Sequence, residues 1–235
     1  GLKKALEGWI GREITDADID RGMETVNASR RQLREMYELR KPDPPLIGGA
    51  EAAAVVMSSM VTDKREHNSR LQALLPGLAQ RRDGPRGGSR LMIVGSEIQD
   101  LELYDIIEGG GGVVVMDEHC FGSRYFWNQS RPGQNRLGAI ANRLIERPRC
   151  PLKDVNERVR LGYILNLAQE WKVDGVLLEH QKFCAPHEYD LPHIKRVLEE
   201  NNIPTFLIEM DMTLHRGAIS TRTEAFLEML ELDLV

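Results

Sequence analysis

The stretch VDGVLLEHQKFCAPHEYD, residues 173–190, decides the fold. Val173, Asp174 and Gly175 open an apolar run, Val176-Leu177-Leu178, which reads as a buried strand. Glu179, His180, Cys184, His187 and Glu188 follow it. The stretch therefore reads as a strand, a loop rich in metal-ligand side chains, and a helix start. In an open parallel sheet, ligands sit on the loops at the carboxyl ends of the strands. One thiol among imidazoles and carboxylates in such a loop points to metal or redox chemistry. The alternative is a loop whose thiol merely packs, because free cysteines are often simply buried.

The same pattern recurs on either side. Leu91-Met92-Ile93-Val94 reads as a first strand, and Gly95-Ser96-Glu97 as its turn toward a helix. Val113-Val114-Val115-Met116 is a second strand, entered through the glycine run at 109–112, which reads as a helix stop. Helical stretches at 134–147 and 154–171 precede the strand at 175–179. A helix over 191–202 leads to a fourth strand, Thr205-Phe206-Leu207-Ile208-Glu209, and an amphipathic helix over 221–232 closes the chain. Strands that alternate with helices, each a near-continuous apolar run, predict a parallel α/β sheet. Right-handed crossovers and this size favour a flavodoxin-like, doubly wound order, 2-1-3-4. Its switch point falls between the first and third strands, so the 95–97 turn and the Cys184 loop are expected to face one crevice.

Residues 1–82 read as helical. Leu2, Leu6, Trp9 and Ile10 have helical spacing. Thr15 caps a helix with acids in its first turn, and Pro42, Pro44 and Pro45 end it. Further helices are expected from Gly49 to Met60 and from Lys64 to Leu78. RRDGPRGGS, residues 81–89, is a linker by composition. The expected organisation is a helical segment over 1–82 and a flavodoxin-like α/β domain over 90–235.

Of the 235 residues, 41% are hydrophobic, which marks a globular chain. Lys+Arg 31 against Asp+Glu 36 leaves −5, against general nucleic-acid binding. The longest apolar run, 50–60, is too short for a membrane span and is broken by Ser58 and Ser59. Lys3-Lys4 are not followed by an apolar stretch, so no signal peptide is expected. Cys120, Cys150 and Cys184 are too few, and odd in number, for a disulfide framework; a reducing cytoplasm fits. Gly1 in place of Met suggests a trimmed chain or part of a longer polypeptide.

Neither a phosphate-binding loop nor a nucleophile elbow is present. Asp117-Glu118-His119-Cys120 and Arg124-Tyr125-Phe126-Trp127 follow the second strand. They could present a thiol, an imidazole and a guanidinium to a ligand, or form a loop covered by its own aromatics. Cys150, between Pro148 and Pro151, reads as structural. Glu209, Asp211, Arg216 and Arg222 read as carboxylate–guanidinium pairs. His180, Cys184 and His187 are zinc-ligand types, but their spacing matches no standard finger and a fourth ligand is needed. A lone Cys184 cannot hold an iron–sulfur cluster, which typically takes four ligands. The residues alone offer a ligand, not a full site.

Three segments carry a resemblance: MDEHCFGSRYFW (116–127), QKFCAPHEYDLPHIKRVLEENNIPTFLIEMD (181–211) and STRTEAFLEML (220–230). With the helical GREITDADIDRGMETVNASRRQLREMYELR (11–40) and GAEAAAVVMSSM (49–60), the chain resembles the benzoyl-CoA reductase / 2-hydroxyacyl-CoA dehydratase family, the 2-hydroxyglutaryl-CoA dehydratase D-component type. K-F-C-x-P-H-E is the most specific motif. The likeness matches the later portion of a subunit, the interdomain helices and the last α/β domain. It implies a [4Fe-4S] cluster with Cys184 as one ligand and two further cysteines from an earlier domain, upstream of Gly1. No catalytic residue is carried over, and no ligand role passes to Cys120 or Cys150. Ala218 stands where relatives often have Gln.

The resemblance further implies one-electron chemistry on a CoA thioester through a ketyl-type radical. Its expected partners are a homologous second subunit and an ATP-dependent iron–sulfur activator, with neither nucleic acid nor membrane. Dehydratases of the family expel a hydroxyl, and reductases reduce an aromatic ring. MDEHC and RYFW lean toward the aryl-CoA reductase side. A 2-hydroxyacyl-CoA dehydratase subunit, a cluster-binding electron-transfer protein without a CoA substrate, and a non-catalytic partner subunit are the alternatives.

Overall fold

The computed structural model describes residues 1–86, 88–98, 100–154, 156–211 and 215–233, the side chain of Asp233 excepted. Four parallel strands form one sheet: β1 (Arg90–Val94), β2 (Val113–Glu118), β3 (Gly175–Gln181) and β4 (Thr205–Met210). Their order is β2-β1-β3-β4, as the apolar runs predicted. Every residue of β1 and β2 is buried, which is why both read as unbroken apolar runs. Side chains alternate between the faces. Met92 and Val94 join one apolar cluster, and Leu91 and Ile93 join the other.

The helices cover both faces. Helix α1 (Leu2–Ile10) leaves Leu2, Trp9 and Ile10 exposed. Helix α2 (Asp16–Glu38) starts on a reciprocal cap: the Thr15 hydroxyl accepts from Asp18 N, and Thr15 N donates to the Asp18 carboxylate. It packs with α3 (Gly49–Val61) and α4 (Lys64–Ala79) on the face that holds Met92 and Val94. The helical segment and the sheet thus share one apolar cluster, with Leu33, Met36, Ile47 and Val56 beside Val113 and Val115. A Cβ on Gly49 would lie 2.6 Å from the Val114 Cβ, so only glycine lets α3 start this close to β2. Helix α5 (Glu102–Gly109) follows β1 on the opposite face, with Leu103, Tyr104 and Ile107 buried. The short α6 (Ser123–Phe126), then α7 (Arg136–Glu146) and α8 (Val159–Glu170), lie between β2 and β3. Helices α9 (Ala185–Glu199) and α10 (Arg216–Asp233) follow β3 and β4.

One irregularity marks the sheet. The β1–β2 register shifts between Leu91 and Met92, which pair with Val114 and Met116. Such a bulge disturbs the ladder locally. Here Arg40, fully buried, donates to Val114 O from Nε at 3.2 Å and from Nη2 at 2.7 Å.

Several boundaries differ from the sequence reading. Helix α9 begins at Ala185 rather than 191, and Pro186 is tolerated in its first turn, where an N–H has no intrahelical partner. Helix α8 begins at Val159 rather than 154, after a 3₁₀ turn at Pro151–Lys153. Val155, within the expected helix, and Gly87, within the expected linker, lie outside the described residues. Helix α10 begins at Arg216, not 221. No helix among the described residues is long and apolar enough to cross a membrane.

Candidate functional site

At the carboxyl end of β3 the chain runs through His180, Gln181 and Lys182 to Phe183 and Cys184. Cys184 is the N-cap residue of α9 and is half-buried. Its carbonyl accepts from His187 N at 3.0 Å and Glu188 N at 3.1 Å. The expected loop is therefore short, and His187 and Glu188 belong to the first turn of the helix. Phe183 sits at φ 71 with its ring 96% exposed. A bulky side chain in the left-handed region is strained, and such strain gathers at functional sites.

His187 is buried with neither ring nitrogen bonded. Burial, with Arg160 and Arg124 adding to it, holds its pKa down to about 2, so the imidazole is neutral. Among the described residues no group of three or more His, Cys, Asp or Glu side chains is placed to hold a metal ion. His180, Cys184 and His187 share a stretch of chain without forming a zinc site. Cys150 is the N-cap residue of the 3₁₀ turn, and its carbonyl accepts from Lys153 N at 2.8 Å.

Beside this segment, Glu179 and Ser96 join the ends of β3 and β1. Ser96 donates to Glu179 Oε2 from its backbone N at 2.8 Å and from Oγ at 3.1 Å. Gly95 must be glycine, because a Cβ there would collide with that carboxylate. Glu179 Oε1 is buried without a partner. Burial pushes the Glu179 pKa up to about 7, with the Ser96 bonds opposing and Glu97 adding to the rise. A carboxyl whose folded pKa lies above its unfolded value of 4.5 binds more protons in the native state. Its stabilising contribution is complete below pH 4.5 and is lost as pH rises through 7. Glu179→Gln is expected to flatten this slope and to gain about 1 to 3 kcal/mol at pH 8. Urea unfolding at pH 5 and pH 8 measures it, and a variant with the parent's slope sinks the assignment.

The DEHC loop is mostly interior. Asp117 accepts from Tyr37 Oη at 2.7 Å, Arg40 Nη1 at 3.1 Å and Ser123 N at 2.8 Å. His119 Nε2 and Tyr104 Oη lie 2.7 Å apart. Glu118 takes the Arg124 fork at 2.7 Å from Nε and 2.7 Å from Nη2. Arg160 also bonds Glu118, and reaches Asp190 at 2.8 Å. Arg158 pairs with the other Asp190 oxygen at 3.2 Å. The imidazole and guanidinium are thus committed inside, and Cys120 is the exposed member, 3.5 Å from Arg124 Nη1. The charged side chains of the edge strand pair as follows. Lys182 takes Asp211 at 2.9 Å, Arg216 pairs with Glu102 at 2.5 Å, and Arg222 donates to Leu207 O.

A sequence model of the 2-hydroxyglutaryl-CoA dehydratase D-component matches residues 1–230. The chain belongs to that family. Within the D-component family it is 29% identical over 226 residues to the (R)-phenyllactyl-CoA dehydratase beta subunit of Clostridium sporogenes, covering 96% of this chain and 60% of that one. It is 26% identical over 234 residues to the (R)-2-hydroxyglutaryl-CoA dehydratase subunit beta of Acidaminococcus fermentans, covering 97% and 62%. It is also 26% identical, over 209 residues, to a subunit of the benzoyl-CoA reductase of Thauera aromatica, covering 86% and 54%. The chain therefore spans about 60% of the length of such relatives.

As a D-component chain it offers Cys184 as a single open thiol at a strand end. Among the described residues no group of three or more His, Cys, Asp or Glu completes a metal site around it. Sequence reasoning placed Glu179 and the 95–97 turn at strand ends but not the Ser96–Glu179 bond, and it missed Arg40 and Arg160.

Proposed function

We propose that this chain is the later part of a subunit of an enzyme acting on CoA thioesters by low-potential one-electron chemistry. In this reading 1–82 is the interdomain helical segment and 90–235 the last α/β domain. The carrying observation is the D-component match over residues 1–230, with K-F-C-x-P-H-E at the N-terminus of α9. Cys184 is one ligand of a [4Fe-4S] cluster whose remaining ligands lie outside this chain. When bound, such a cluster supplies the electron that the thioester accepts. This chain's part is to hold Cys184 on a helix start braced by the buried Arg160–Asp190 pair of α8 and α9. The partners are a homologous second subunit and an ATP-dependent iron–sulfur activator, in the cytoplasm.

The test is anaerobic co-production of the full-length protein with its partner subunit and activator. Iron content and turnover of benzoyl-CoA and of 2-hydroxyacyl-CoA thioesters are then measured. Ring reduction assigns the reductase reading, and loss of the hydroxyl assigns the dehydratase reading. An iron-loaded, activated complex that turns over neither overturns both and leaves electron transfer without a CoA substrate.

A further inference from the structure

Helix α7 carries its apolar side outward. Leu137, Ile140, Ala141, Leu144 and Ile145 recur at helical spacing, and all five are exposed. A surface helix normally turns such a stripe to the core. Here the inward residues are Ala139 and Arg143. Arg143 donates to the carbonyls of Tyr125 at 2.5 Å and Asn128 at 3.3 Å, and its own carbonyl accepts from Asn128 Nδ2 at 3.1 Å. At the amino end Arg136 pairs with Asp16 at 3.0 Å and Asp20 at 2.8 Å, and the Asn135 side chain accepts from Gly138 N at 2.8 Å. Polar bonds thus hold α7 on α2 and on the 125–130 segment. The stripe is left over, and none of its residues belongs to either apolar cluster.

The side chains are open to a large extent: Ile145 is 69% exposed, Leu137 52% and Leu144 46%. Together the stripe presents about 400 Å² of apolar surface, a patch of the size that marks interaction sites. That is near half of the about 800 Å² that each partner of a stable complex buries. Val159, exposed beside Ile145 in the wall of the same cleft, and the exposed loop 131–135 widen the face at its two ends.

We propose that this stripe is a self-association face, seated antiparallel on the α7 of a second copy of this chain about a two-fold axis at Ala141. A two-fold interface must fit itself, each residue meeting its counterpart's partner. The register of α7 does so. Leu144 falls against the second copy's Leu137, and Ile145 falls over its Gly138, where no side chain stands. Ala141 meets itself, and small residues at a crossing let two helices approach to about 8 Å. The charges fit the same arrangement. Arg147, at the carboxyl end, has no carboxylate partner among the described residues, and its Nε is buried without a bond. The axis brings it to the amino end of the second α7, where Asp16 and Asp20 share Arg136 and leave one negative charge in excess. The face lies away from Cys184 and does not rest on the proposed function. The homologous subunit of that reading, and the remainder of a longer subunit, are the rival occupants.

Sedimentation velocity of the full-length protein alone, from about 1 to 100 µM, tests the face. A monomer–dimer equilibrium that saturates at two copies is expected. Leu144→Glu should weaken the dimer at least about tenfold, because it sets a charge in an apolar contact. It should melt as the parent does, since Leu144 is exposed. Val61→Glu, exposed on α3, should leave the dimer unchanged. Arg147→Glu should weaken the dimer about threefold, and Arg147→Glu/Asp16→Arg should restore it. If Leu144→Glu does not fold, Ala141→Cys carries the comparison. Two copies of that thiol meet at the axis, so mild oxidation should link the dimer, and Val61→Cys should not be linked. A protein that stays monomeric, a dimer untouched by Leu144→Glu, or an Ala141→Cys protein that is not linked overturns the proposal. A monomer that binds a homologous subunit, and loses it in Leu144→Glu, gives the face to that subunit. A monomer that Leu144→Glu destabilises gives it to the remainder of its own chain. No turnover is measured, so the face stands or falls separately from the proposed function.

Discussion

Arg160→Met is expected to destabilise the fold by about 3 to 5 kcal/mol. The Arg160 side chain is fully buried and bonds Glu118, Asp190 and the carbonyl of Arg149. Methionine fills similar volume but carries no charge. Glu118 would keep the Arg124 fork, and Asp190 would keep only Arg158, whose side chain is 34% exposed. Removing one member of a buried ionic group leaves charge in a poorly solvating interior, and that penalty exceeds the worth of the contact. Arg160→Met/Asp190→Asn, which also neutralises the carboxylate left without its buried partner, should recover part of the loss. Arg65, exposed and paired with exposed Asp63 at 2.8 Å, is the comparison; Arg65→Met should leave unfolding unchanged. Urea midpoints at constant slope measure all three. An Arg160→Met midpoint no lower than that of Arg65→Met would falsify the network as a determinant of stability.

Cys184→Ser in the full-length protein, with partner and activator, is expected to lose iron and CoA-thioester turnover while the fold persists. Thiolate is the soft ligand iron prefers, and a serine hydroxyl ionises far less readily. The position separates ligation from stability. Cys184 is the N-cap of α9 and makes no side-chain cap bond, whereas serine is among the best N-cap residues. The apo protein should therefore melt at or slightly above the parent's temperature. Cys150→Ser, changed at the 3₁₀ turn, should keep its iron. Iron retained with full turnover in Cys184→Ser, or identical behaviour of the two variants, removes Cys184 from the ligand set.

The sheet was legible in the chain because each strand is a short apolar run set off by glycine, proline or polar residues, and the runs alternate with helices. Helix starts were less so. Apolar periodicity drew α9 from Leu191, yet it starts at Ala185 because Pro186, His187 and Glu188 are compatible with a first turn and His187 is buried there. For α8, the Asp154 carboxylate accepts from Val159 N at 3.1 Å and Arg160 N at 2.8 Å. It caps the helix from five residues away, a distance at which no local pattern reveals a cap. Cys184 was legible as a residue type at a strand end, and of the two readings open for the DEHC segment, ligand presentation or a covered loop, burial of Asp117, Glu118 and His119 favours the covered one. Asp117, Glu118 and His119 look like loop ligands in sequence and are interior anchors in space.

By itself, then, the sequence determined the class of sheet, its strand order, the helical lead-in and the place of Cys184. Those depend on local periodicity and on chain-handedness rules that act between neighbours along the chain. Only the tertiary structure decided which charges are paired and which carboxyl has its pKa raised to about 7. Ser96 and Glu179 are 83 residues apart in sequence, and Arg160 and Glu118 are 42 apart. Burial and Coulomb energy depend on distances in space, which a linear pattern does not encode.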